Sequence, residues 1–121
     1  MKNLLITLIF LFTIEQFKAQ ERLSSYALQI GHWNEYIQDF NWENVKYCDV
    51  GFLIQGDIII ANDEAKSTYY MYNNFDQSEL VNSWEAFDEG RRKCIVTMMF
   101  GKTSYFIVTY SDICYRYFVN L

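Results

Sequence analysis

Few residues in this chain are of types that carry out chemistry by themselves. His32 is the single histidine, so a histidine-rich metal site or a Ser-His-Asp triad would hang on one ring. Its functional reading is a lone general base working with Cys48 or a serine. No nucleophile motif such as G-x-S-x-G accompanies it, and a structural or surface histidine is the expectation. Asp57, Asp63 and Glu64 offer the oxygen ligands that calcium takes, without the spaced pattern of a calcium loop. Turn-forming Asp and solvated Glu account for them. Glu85, Asp88 and Glu89 resemble the carboxylates of glycoside hydrolysis, but that chemistry needs two groups opposed across a cleft. Cross-strand pairing of Glu85 with Lys93, with a bulge in the Asp88-Glu89-Gly90 turn, is the simpler expectation. No catalytic, cofactor-binding or metal-ligating residue is predicted, and no enzyme.

Cys48, Cys94 and Cys114 stand 46 and 20 residues apart, which matches no short-range metal clip. An odd number of cysteines allows at most one intramolecular disulfide, so this is no disulfide scaffold. Buried free cysteine, a common small core filler, is expected.

The elements that must position any site begin after a leader. Lys2, an apolar run from Leu4 to Ile14 and the Ala19-Gln20 junction have the layout of a secretory signal peptide. The run is about eleven residues, short of the roughly 20 that span a bilayer, so no stable membrane anchor is expected. The predicted division is a signal peptide over 1–19 and one domain over 20–121, exported to the periplasm or beyond the cell. Losing Lys2, Lys18 and Glu15 moves the formal net charge from −5 to −6, the wrong sign for a generic nucleic-acid binder. Arg91-Arg92-Lys93 is the one basic cluster and suits a solvated hairpin end.

Aromatic residues make up 19% of the chain, in segments that also hold Ile, Val and Thr, which suits a pleated, half-buried surface. From Val50 onward, short β-prone runs alternate with turn signals. Phe52–Gln55 and Ile58–Ala61 flank Gly56-Asp57, a two-residue turn with glycine first. Ser67–Tyr72 reads as a strand, Asn73–Ser78 as a polar loop and Leu80–Phe87 as a strand. Cys94–Phe100, Ser104–Tyr110 and Ile113–Val119 follow, with two-residue turns assumed at Gly101-Lys102 and Ser111-Asp112. That register lines up Ile95, Val108 and Tyr115 on a core face, with Thr97, Phe106 and Tyr117 beside them. It also puts Cys94 and Cys114 on one face about 10 Å apart, too far for a disulfide. Val96, Ile107, Arg116, Met98, Tyr105 and Phe118 fall on the opposite face. Before Val50 a weak strand over Ser24–Ile30 and a long loop fit best. The predicted fold is an all-β antiparallel meander of about seven or eight strands, forming a rolled sheet or a small barrel or sandwich.

Gly31-His32-Trp33 resembles the G-x-W signature on the first strand of lipocalin-like barrels, where the tryptophan closes the barrel floor. That resemblance implies a barrel holding an apolar ligand inside. A longer resemblance covers residues 50–119: Gly56-Asp57-Ile58-Ile59-Ile60, Lys66-Ser67-x-Tyr69, Trp84-x-Ala86-x-Asp88-Glu89, Arg92-x-Cys94 and Tyr110-Ser111-Asp112 with Tyr117. These look like a group of small exported β-proteins of Bacteroidota to which no activity is assigned. It implies the fold and the compartment, and no function.

A sheet apolar on both faces must be covered twice, or must use one face for a ligand or partner. The leading expectation is a non-catalytic exported β domain that binds a protein or envelope component through an aromatic face. The alternative is a lipocalin-like carrier of a small apolar ligand. Trp33, Trp84, Tyr105 and Phe118 are the candidate interaction or ligand-facing residues, and no cofactor is expected.

Overall fold

Strict alternation of buried and half-buried residues over Ser104–Thr109 marks a strand with one face in a core and one near solvent. The same period recurs along the chain, and in the computed structural model, which describes residues 20–63 and 65–120, it builds ten antiparallel strands. They are β1 (Gln20–Asn34), β2 (Asp39–Trp42), β3 (Lys46–Tyr47), β4 (Gly51–Gln55), β5 (Ile58–Ala61), β6 (Thr68–Gln77), β7 (Val81–Asp88), β8 (Lys93–Met99), β9 (Ser104–Thr109) and β10 (Ile113–Asn120). Strands β4 to β10 pair in sequence order, β4 pairs with β1, and β1 pairs with β10. The sheet therefore closes into an eight-stranded barrel with two extra strands, which removes the exposed edges an open sheet would carry. The proposed leader over residues 1–19 and Glu64 lie outside the described residues.

A bulge in β1 makes room for the extra strands. Ser25 pairs with Val119 and Ala27 with Phe118, so Tyr26 is the additional residue. Its effect is to switch which face of β1 looks inward: Leu23 precedes the bulge on the core side, and Leu28 and Ile30 follow it beside Tyr117 and Tyr115. Beyond Ser24, β4 leaves the edge of β1, and β3 and then β2 take its place. The buried Ser25 hydroxyl anchors the chain returning to β4, donating to the Val50 carbonyl at 2.7 Å and accepting from the Val50 amide at 3.2 Å.

The core fills the middle of the barrel. Phe52, Phe106, Ile59, Val96 and Val108 are the largest fully buried side chains. Phe52 stacks on Phe106 with centroids 4.2 Å apart and meets the Tyr117 ring edge-on at 4.9 Å. Burying a phenylalanine side chain stabilises a fold by about 2–3 kcal/mol, so this trio is a main anchor of the barrel.

Two of the hairpins follow the registers expected from sequence. Gln55 pairs with Ile58 around a Gly56 held at φ +58, the left-handed conformation that glycine adopts without a Cβ penalty. Tyr115 and Tyr117 pair with Val108 and Phe106. Between β8 and β9 the register differs by one residue: Val96 faces Val108 and Met98 faces Phe106. The connection is a longer loop around Gly101-Lys102, and a slip of one residue moves every side chain to the other face. Cys94, Val96 and Met98 therefore face the core, while Ile95 and Thr97 lie on the outer wall. Cys94 and Cys114 end up on opposite walls instead of one, and all three cysteines are free thiols.

Asn73–Ser78, expected as a polar loop, continues β6 as far as Gln77, with irregularities between Met71 and Asn73 and between Asn74 and Asp76. Side-chain amides hold this exposed stretch to β7: Asn73 donates to Glu85 at 2.9 Å and Asn74 to the Ser83 carbonyl at 3.1 Å. Lys93 stands opposite Phe87 and Glu85 opposite Ile95, so the expected Glu85–Lys93 cross-strand pair does not form. The loop expected after Ile30 is instead the end of the 15-residue β1, a turn, and strands β2 and β3.

Candidate functional site

One end of the barrel collects polar side chains from three connections: residues 62–67 between β5 and β6, 89–92 between β7 and β8, and 110–112 between β9 and β10. With the adjoining strand ends they place Asp63, Ser67, Tyr69, Asp88, Arg92, Tyr110, Tyr115 and Tyr117 around an open mouth of about 320 Å³. The tyrosines sit there because Tyr69, Tyr115 and Tyr117 occupy inward-facing positions on β6 and β10, and Tyr110 directly follows β9.

Each carboxylate is fixed by neighbours. Asp63 accepts from the Ser67 amide at 2.9 Å and the Ser67 hydroxyl at 2.8 Å, closing its loop in the manner of an Asx turn. Asp88 accepts from the Arg92 amide at 2.8 Å and from the Tyr110 hydroxyl at 2.8 Å. The Arg92 guanidinium lies 4.4 Å from the centre of the Tyr110 ring and donates to Asp112 at 2.9 Å. Tyr117 is only 7% exposed, and its hydroxyl has no hydrogen-bond partner among the described residues. Tyr117 lines the opening, so this hydroxyl is free there to donate or accept a hydrogen bond.

Three of these phenols, Tyr69, Tyr110 and Tyr117, are raised above the ordinary tyrosine range. Burial pushes the Tyr117 hydroxyl up to about 12, with the Asp63 charge adding to it. Tyr69 is shifted upward by burial and then by Tyr117 and Asp63. Tyr110 is raised by burial and by its hydrogen bond to Asp88. The Cys94 thiol is raised to about 11, mainly by burial.

The outer wall forms a second arrangement. Arg116 reaches across β1: its guanidinium lies 4.1 Å from the Trp42 ring centre and donates to the Gln29 side chain. Gly31 makes this possible, because a Cβ there would stand 2.9 Å from a Trp42 ring carbon. Trp33 meets Phe40 edge-on at 5.3 Å, and Tyr105 meets Phe118 edge-on at 5.1 Å. A depression of about 380 Å³ beside Arg22, Leu53, Ile60 and Lys66 has exposed cations and no buried polar group aimed into it.

Of the four candidates read from the sequence, Trp33, Tyr105 and Phe118 share the outer wall, with Trp33 38% exposed. Trp33 packs on Phe40 there and does not close the barrel floor. Trp84 lies apart from them, half-buried opposite Val96 and packed on the core. His32 pairs with Glu43 at 2.5 Å in an exposed setting, and that contact, followed by Lys46, holds the Glu43 carboxyl below its ordinary range. Asp57, in the two-residue turn of the β4–β5 hairpin, lies at the opposite end of the barrel from Asp63. The tyrosine mouth was not read from the sequence. Its signal is the alternation of Tyr115 and Tyr117 next to the Tyr110-Ser111-Asp112 turn, which puts hydroxyl-bearing rings on the inward face of a strand end.

Compared with known proteins, the chain matches no family model, no curated protein and no solved structure.

Proposed function

We propose that the protein is a non-catalytic exported carrier that binds a small molecule in the tyrosine-lined mouth of its barrel. The observation that carries this reading is a closed barrel whose apolar middle is packed while one end stays open, lined by Tyr69, Tyr110, Tyr115 and Tyr117, with no hydrogen bond to the Tyr117 hydroxyl among the described residues. Ligand sites combine a concave opening with a few convergent polar groups, and barrel mouths are a common place for them. The polar lining favours a polar ligand over the apolar one that the lipocalin resemblance implies. Arg22, Glu85 and Lys93 on the outer wall, with apolar residues inside, reverse the pattern of a transmembrane barrel and support a water-surrounded domain.

Native mass spectrometry of the full chain, after incubation with the small-molecule fraction of spent culture medium, tests the proposal. A single 1:1 adduct is expected. Bare protein alone would count against it.

A second reading follows from the outer wall, where Trp33, Trp42 and Met99 stay more than one third exposed. Rigid aromatic surfaces of this kind anchor protein interfaces, and a protein or envelope component would dock there without entering the mouth.

A further inference from the structure

We infer that the ligand of the mouth is a small organic cation, with an ammonium group held between the Asp63 carboxylate and the Tyr117 hydroxyl. The inference rests on the mouth being a ligand site, and it adds the ligand's charge and the atoms that select it.

Charge is the first ground. Asp63 and Asp88 both line the opening, against one cation, Arg92. That cation is already engaged, because Asp112 holds its guanidinium at 2.9 Å and the Tyr110 ring lies against it. Asp63 receives hydrogen bonds only from the neutral amide and hydroxyl of Ser67, and no salt bridge reaches it among the described residues. A half-buried carboxylate satisfied only by neutral donors retains a negative potential that attracts a positive group.

Geometry is the second. Tyr117 is more than nine-tenths buried and lines the same opening, and its hydroxyl has no partner among the described residues. As a protonated phenol it is neutral, so it accepts from an ammonium without competing for the charge of Asp63. Tyr69, Tyr110 and Tyr115 surround the position with aromatic rings, whose faces attract cations. Burial, then Tyr117 and Asp63, raise Tyr69, and burial, then Asp63, raise Tyr117, which places the Asp63 carboxylate within electrostatic reach of both phenols. An anion would meet two carboxylates in this opening.

The test uses three probes of one size and different charge: benzylamine, benzyl alcohol and benzoate, each titrated into the full chain while its amide resonances are followed. Benzylamine is expected to shift residues 63–69 and 110–117 saturably. Benzyl alcohol should bind about tenfold or more weakly, as loss of a charge-assisted hydrogen bond implies, and benzoate should leave the mouth unchanged. Asp63→Asn should weaken benzylamine about tenfold. Tyr117→Phe, which keeps the ring that packs on Phe52, should weaken it about threefold or more, so the inference stays testable if Asp63→Asn disturbs its loop. Equal binding of alcohol and amine at the mouth, or unchanged amine binding in Tyr117→Phe, would overturn the cation inference and leave the mouth a ligand site. No perturbation by any probe would overturn both.

Discussion

The Tyr110 hydroxyl donates to the Asp88 carboxylate at 2.8 Å, joining the end of β9 to the end of β7 at the rim of the mouth. Because Asp88 also caps the β7–β8 turn through the Arg92 amide, one carboxylate holds two connections in place. Tyr110→Phe removes the hydroxyl and keeps the ring under Arg92. It should cost about 1 kcal/mol, the usual net worth of such a bond with a part-exposed acceptor. Asp88→Ala, which loses both bonds, should cost about 2 kcal/mol. Urea unfolding midpoints of the two variants check the order.

Alkaline pH should destabilise the barrel before it damages the chain. Tyr117 is raised from 10.0 to about 12, and Tyr69 and Tyr110 are also raised. These phenols are neutral in both states below pH 10, so their contribution is fully present there. Above it the unfolded chain loses protons first, the folded state binds more protons, and stability falls as pH climbs toward the folded values. For Tyr117 alone the loss is of order 2 kcal/mol. Thermal melts from neutral pH to about pH 12, with tyrosinate absorbance followed in parallel, should show late ionisation of these rings coinciding with unfolding. Complete tyrosine ionisation in a still-folded barrel would contradict it.

At Gly31 the close approach of Trp42 and Phe40 leaves no room for a side chain. Gly31→Val should displace Trp42 from Arg116, costing about 1–3 kcal/mol as an overpacked site does. Tryptophan emission should shift while the barrel's circular dichroism is retained. An unaltered emission spectrum would show that the Trp42–Arg116 contact does not depend on this glycine.

Thiol reactivity should separate the cysteines. Cys94 and Cys114 are buried and shifted upward chiefly by burial, whereas Cys48 is half-buried. Buried thiols of raised pKa are inert. In the native chain, Cys48 should label first with an aromatic disulfide reagent, and the other two only on unfolding. Equal labelling rates would contradict the packing of β8 and β10.

These expectations depend on structure that was unequally legible in the sequence. The β4–β5 and β9–β10 hairpins were readable because two-residue turns fix register. The β8–β9 pairing was not, because Gly101-Lys102 suits a tight turn as well as the longer loop that forms, and a single residue decides which wall Cys94 joins. The length of β1 was hidden by the bulge at Tyr26, which breaks the alternation that would announce one continuous strand. Asn73–Gln77 carries polar residues because both of its faces are exposed, and composition alone then resembles a loop. Of the aromatic candidates, Tyr105 and Phe118 fall on the sheet face that the β9–β10 register assigned them, whereas the place of Trp33 beside Phe40 depends on the β1–β2 pairing, which the sequence did not announce. The mouth was not legible, because Tyr69 and Asp88 face each other across the β6–β7 hairpin but Tyr117 on β10 joins them only as the sheet rolls up and β1 closes against β10, a pairing no local pattern encodes.

The location of ligand binding is tested most directly by mapping amide chemical shifts of the full chain against the small-molecule fraction that gives an adduct. Changes confined to residues 62–69, 88–92 and 110–117 are the expected result. Changes centred on Trp33, Trp42, Tyr105 and Phe118, with the mouth unmoved, would contradict the account and transfer the function to the outer wall.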